Sequence, residues 1–159
     1  MREQDIERAV QNVLRELKAP SSMDLRLAKA LIDRIEHKAS EMGVRAVIAV
    51  SDASGRPVAI HVMDGAYIGS FDIALNKTYT SAAFRMSTAK LGELAAPGGS
   101  LYGIQFTNQG KVVIFGGGEP LMWNGEMIGA VGVSGGTAEQ DTVLGAYGRD
   151  ILEEVMRWK

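Results

Sequence analysis

Residues 44–63, VRAVIAVSDASGRPVAIHVM, decide the fold. Residues 44–51 form a short, nearly unbroken apolar run, the pattern of a strand buried on both faces. Asp52-Ala53-Ser54-Gly55 has turn composition, and residues 57–63, PVAIHVM, make a second strand. Two strands this close predict an antiparallel hairpin. Asp64-Gly65-Ala66 breaks the second strand, and a long helix is expected over 68–86, with a helical turn over 87–94. Residues 96–111 are loop-like, and Lys111 to Phe115 reads as a third strand. Leu121-Met122-Trp123 and residues 126–133 flank Asn124-Gly125, a strong hairpin signal. Thr137-Ala138-Glu139-Gln140 has the form of a capping box and opens a last helix expected to reach Trp158. Upstream of the hairpin, Met23 to Met42 carries a helical stripe of Leu27, Leu31, Ile35 and Met42, closed by Gly43. Hairpins dominate this order. The expectation is an α/β (α+β) single domain, an antiparallel sheet flanked by helices in a profilin-like or PAS-like layout. A doubly wound parallel sheet is excluded, because strands and helices do not alternate.

Composition bounds the function. The chain has 159 residues and a formal net charge of −2, enough for one cored domain and without the basic excess of a nucleic-acid binder. There is no cysteine, hence no disulfide, thiolate nucleophile or cysteine metal site. No apolar stretch is long enough for a membrane span, so neither nucleic acid nor membrane is an expected partner. No signal-peptide pattern opens the chain, and a cytoplasmic location is the default.

The first seventeen residues, MREQDIERAVQNVLREL, stand apart. Ile6, Val10, Val13, Leu14 and Leu17 line one helical face, and charged and amide residues cover the rest. A helix this short is marginal in water without a surface to cover its stripe. The breaker 18–22, KAPSS, separates it from the remainder of the chain, so residues 1–17 read as a targeting helix, 18–22 as a linker and 23–159 as the domain.

Several segments together resemble the GlcG/HbpS-like family, which includes the C-terminal domain of PduO proteins. They are residues 47–52 with Gly55; Met63-Asp64-Gly65-Ala66; Ile73-Ala74 with Lys77 and Thr80; residues 116–121; and residues 128–136 followed by Gln140-Asp141. The resemblance spans about residues 23–155. It implies a profilin-like fold, assembly into homo-oligomers from dimers to octamers, and binding of haem or a related tetrapyrrole such as a corrinoid. The terminal helix resembles the encapsulation peptides that bring cargo into bacterial microcompartments. That resemblance implies a shell protein as partner and the microcompartment lumen, within the bacterial cytoplasm, as location. The expected function is a microcompartment-associated accessory protein. The alternatives are an enzyme acting on a small oxygenated metabolite and a purely structural module.

Few residues offer chemistry. His61, on the second strand with Ala59 and Met63, is the candidate axial ligand to haem iron, or else a hydrogen-bonded sheet histidine. His37 reads as a solvated helix residue. Lys77 sits on an apolar helix face and must pair or serve a ligand; Asp64 is the expected partner, and the two are the candidate catalytic groups. Met63, Asp64 and Gly65, at the strand-to-helix junction, are with His61 and Lys77 candidate cofactor-binding residues. Gly117 and Gly118, and the turn Ser134-Gly135-Gly136 ahead of the capped helix, are candidate backbone donors to a cofactor anion, against the plainer role of tight packing. Tyr79, Tyr102, Phe84, Phe106, Met63 and Met86 are candidate pocket walls or, alternatively, core.

Overall fold

In a computed structural model, backbone is described for residues 2–18 and 22–157, and side chains for these except 15–18. Leu17's side chain, the linker residues 19–21 and the expected helix end at Trp158 lie outside the described residues. The elements run α1 (Glu3–Lys18), α2 (Leu25–Glu41), β1 (Val47–Asp52), β2 (Pro57–Val62), α3 (Ser70–Phe84), α4 (Thr88–Leu94), β3 (Gly118–Trp123), β4 (Glu126–Ser134), α5 (Ala138–Asp150) and α6 (Leu152–Arg157). Two 3-10 turns, Ile104–Phe106 and Asn108–Gly110, lie in the expected loop.

The four strands form one antiparallel sheet in the order β2-β1-β4-β3. β1 is central, which explains its continuous apolar run: Val47 to Val50 are all fully buried. Even positions Ile48 and Val50 face α2, α5 and α6, where Leu31, Ile35, Leu144 and Leu152 complete the main core. Odd positions Val47 and Ala49 face α3 through Ala74. The sheet is thus a middle layer between helices on both faces. α3 lies close on β4, because a Cβ at Gly132 would come within 2.2 Å of the Ala74 carbonyl.

Local chemistry sets the element ends. Asp24 caps α2 by accepting from the Leu27 N–H at 2.7 Å. Thr137 and Gln140 form the expected capping box of α5. Asn124 and Gly125 both have positive φ, 49° and 77°, as a tight two-residue hairpin requires.

The expected strand at Lys111 to Phe115 is absent. Val112 and Val113 are buried, but their backbone bonds a helix side chain rather than a neighbouring strand: the Val113 N–H donates to Thr80 Oγ1 at 3.0 Å, and that hydroxyl is 3.3 Å from the Lys111 carbonyl. The third strand instead begins at Gly118, and its Pro120 is tolerated because β3 is an edge strand. The last helix is two helices, interrupted at Ile151.

Candidate functional site

The motif residues gather at one end of the sheet. There Val47 pairs with both Val62 and Ser134, so Arg45-Ala46, the 63–69 connection and Gly135-Gly136 all leave the sheet together. They do not form one site. Strand alternation sends them to opposite faces.

On the α3 face lies an open cleft of about 350 Å³, with Tyr67, Ile73 and Phe115 as its apolar walls. Ser70, Ser134, Gly135, Gly136 and Asp141 also line it. The Ser134 hydroxyl lies 3.2 Å from that of Ser70, and both residues are buried. Beneath is Lys77, fully buried. Its Nζ donates to the Val133 carbonyl at 2.6 Å and to Asp141 Oδ2 at 3.0 Å, and sits 5.0 Å from the centre of the Phe115 ring. The other carboxylate oxygen, Oδ1, accepts the Gly136 N–H at 2.9 Å. Burial pushes the Lys77 ammonium below the ordinary lysine range, and the Asp141 charge opposes that shift. Gly117 makes room for the pair: its φ is 119°, and a Cβ there would stand 2.7 Å from Lys77 Nζ. Gly118 packs likewise against Thr88 and the Lys77 carbonyl. These two glycines serve packing around the lysine and do not line the cleft.

The expected Lys77–Asp64 pair is therefore corrected. Lys77 points under β4 to Asp141, while Asp64 lines a concavity of about 610 Å³ with Glu36, Arg45, Val62 and Met63. A catalytic couple of Lys77 and Asp64 does not exist in this fold. Asp141 was visible in the sequence only as an acid of the first turn of a helix; its burial and its partner, 64 residues away, depend on the sheet.

His61 is opposite Ile48 and shares that residue's α2 face. Its Nδ1 is 2.7 Å from Glu36 Oε1, and both side chains are about one-third exposed. Met63 folds back so that its Sδ accepts the Ala46 N–H at 3.4 Å. Gly65, with φ of 80°, lies against the Arg45 side chain. His61, Met63, Asp64 and Gly65 thus belong to the α2 side, and Lys77, Ser134, Gly135 and Gly136 to the α3 side. His37 is exposed, 3.4 Å from Glu41. None of the aromatic and methionine residues expected as pocket walls lines the cleft; Tyr102 and Phe106 are largely exposed. Tyr67, Ile73 and Phe115 take that place, and their role became visible only when the 63–69 connection and residue 115 met across α3.

The sequence and the fold match known proteins. The family described as "Haem degrading protein HbpS-like" covers residues 23–149. An uncharacterized 15.0 kDa protein of the dhaT–dhaS intergenic region of Citrobacter freundii is 44% identical over 135 residues, 85% of this chain and 95% of that protein. The corrinoid adenosyltransferase PduO of Salmonella typhimurium is 37% identical over 115 residues, 72% of this chain but only 33% of the relative. The chain thus spans about a third of that enzyme. The crystal structure of a PduOC–haem complex superposes with a TM-score of 0.78 at 32% identity, covering 81% of this chain and 94% of the other. With the family covering nearly everything from α2 to the end of α5, the chain belongs to the haem-degrading HbpS-like family.

Proposed function

We propose that this protein is a haem-binding accessory protein of a bacterial microcompartment, with the cleft on the α3 face holding the tetrapyrrole. The observation that carries the reading is the chemistry of that cleft. A flat, apolar ring with acidic side chains needs apolar walls, hydrogen-bond donors and an iron ligand. Tyr67, Ile73 and Phe115 supply the walls. The Ser70–Ser134 hydroxyl pair uses one of its two hydrogens internally and has one left to donate. Tyr67 offers a phenol oxygen, a recognised haem ligand type. His61, on the other sheet face, is not part of this set. Haem bound here would supply a redox-active iron. The Lys77–Asp141 pair holds the cleft floor in shape by fixing the ends of β4 and α5. The likeness to the PduOC–haem complex supports the same ligand class, with a corrinoid as the alternative.

Two further parts of the reading concern partners. Tyr67, Ile68 and Phe71 form an exposed apolar rim, with Ile68 97% exposed, which suits assembly into a homo-oligomer between a dimer and an octamer. α1 keeps Ile6, Val10, Val13 and Leu14 between 42% and 54% exposed on one stripe, which suits docking on a shell protein and residence in the lumen.

Titrating the protein with haemin and following the Soret band tests the ligand. A saturable band shift is expected, altered in position by Tyr67→Phe, weakened at least tenfold by Ile73→Glu and unaffected by His61→Ala. An unshifted free-haemin spectrum overturns the haem assignment, and saturable binding of a corrinoid in its place supports the alternative.

A further inference from the structure

The sheet has two edges, and they are built differently. An open apolar edge is a template for another strand, and natural sequences block it with charge, proline or a cover. β3 has Pro120 inside the strand, where an outward donor is lost, and Glu119 beside it. β2 has no charged residue from Pro57 to Val62, and its proline comes first. The Met63 N–H donates to the Ala46 carbonyl at 3.0 Å, and His61 and Ala59 pair with Ile48 and Val50 of β1. By alternation, the N–H and C=O of Ile60, the N–H of Val62 and the C=O of Val58 point away from the sheet. None of them has a hydrogen-bond partner among the described residues. Val62 is 55% exposed at this edge. We propose that β2 pairs antiparallel with β2 of a second copy of this chain, about a two-fold axis at Ile60, joining the two sheets into one.

Register and charge select a second copy as the occupant. An isologous contact must be self-complementary about its axis, and the sequence around Ile60 is. The axis sets Ile60 against the partner's Ile60 and Val58 against the partner's Val62. The next positions outward, Arg56 and Asp64, then meet as opposite charges at both ends of the pairing. Arg56 is exposed, and its Nε lies 3.3 Å from Asp52 Oδ2, which leaves both Nη atoms for a second carboxylate. Asp64 is exposed and has no ion-pair partner among the described residues. Neighbouring registers fit worse. An axis at His61 sets Asp64 against Val58 and the two imidazoles together. An axis at Ala59 sets Arg56 against Val62 and Asp64 against Ser54. Ile60 and Val62 lie opposite Ala49 and Val47, on the α3 face, and α3 itself sits mainly over β4 and β1. The partner strand therefore covers apolar surface that this chain leaves open. The contact is separate from the rim at Tyr67, Ile68 and Phe71, and none of its residues lines the haem cleft.

The chain has no cysteine, so introduced cysteines report the pairing without background. Directly opposite residues in a hydrogen-bonded pair have Cα atoms about 5.5 Å apart, within disulfide range. In the full chain, Ile60→Cys should give a covalent dimer under mild oxidation with copper phenanthroline. Val62→Cys alone should not, because its two copies are displaced along the strands. Mixed with Val58→Cys it should give the cross-linked pair, which keeps the test valid if Ile60→Cys fails to fold. In sedimentation equilibrium, Asp64→Arg sets like charges together at both ends and should weaken association by about tenfold. Adding Arg56→Asp should restore it. Absence of a covalent dimer both from Ile60→Cys and from the Val58→Cys and Val62→Cys mixture overturns the proposal. So does cross-linking of Val62→Cys alone as strong as that of Ile60→Cys, or a double charge reversal that associates no better than Asp64→Arg.

Discussion

Lys77 and Asp141 show how much a single residue depends on its surroundings. A buried ammonium is tolerable only with its donors satisfied, and here the Val133 carbonyl, the Asp141 carboxylate and the Phe115 ring surround it. Removing one partner strands the other. Lys77→Met should cost about 3–5 kcal/mol, because Asp141 is left charged and buried without its cation. The double change Lys77→Met with Asp141→Leu should recover a large part of that loss in urea unfolding. Equal midpoints for single and double variants would show that the charge left behind is not what destabilises. That Lys77 needed a partner was legible in the sequence, since a lysine on a helix face with Ile73 and Ala74 has nowhere to put its charge. The partner's identity was not legible: Asp64 is nearer along the chain, but the β2–α3 connection turns it to the α2 side.

Between elements, side chains do what strand pairing alone does not. Edge strand β3 is fastened to α5 by Glu119, whose Oε2 accepts from Arg149 Nη1 at 3.0 Å. Burial pushes the Glu119 carboxyl above its usual value of 4.5, with the Arg149 guanidinium opposing. A carboxyl raised in this way binds more protons folded than unfolded in the window from 4.5 up through its folded value. Its contribution to stability therefore falls as pH rises through that window and is most favourable below it. Glu119→Gln removes the titration. Denaturant midpoints measured against pH should show wild type losing ground to the variant above pH 4.5, and parallel curves would contradict the shift. The missing strand at 111–115 is likewise a matter between elements. Those residues have strand composition, yet the Thr80 hydroxyl takes the Val113 N–H and so replaces a ladder bond. Propensity cannot register a competitor 33 residues away.

Across the full chain, the family spans residues 23–149, and the main core is built from Met23 to Val155. Among the described residues, α1 contributes none to either core cluster. Deleting residues 1–17 should therefore leave the melting temperature within a few degrees of wild type and abolish co-purification with microcompartment shells. A collapsed melting transition would place the helix in the fold, and undiminished co-purification would place the shell contact elsewhere.

Sequence was enough for the hairpin at 47–62, the hairpin turn at Asn124-Gly125, the Thr137 capping box, the buried strand implied by a continuous apolar run, and the family. These are short-range matters, set by periodicity and by side chains bonding backbone a few residues away. Folding in three dimensions was needed to divide the motif residues between two sheet faces, to bring Lys77 to Asp141, and to bring Glu36 to His61. The reason is that strand register and helix packing set which side chains meet across 25 to 64 residues of chain, and a shift of one position would send each to the opposite face.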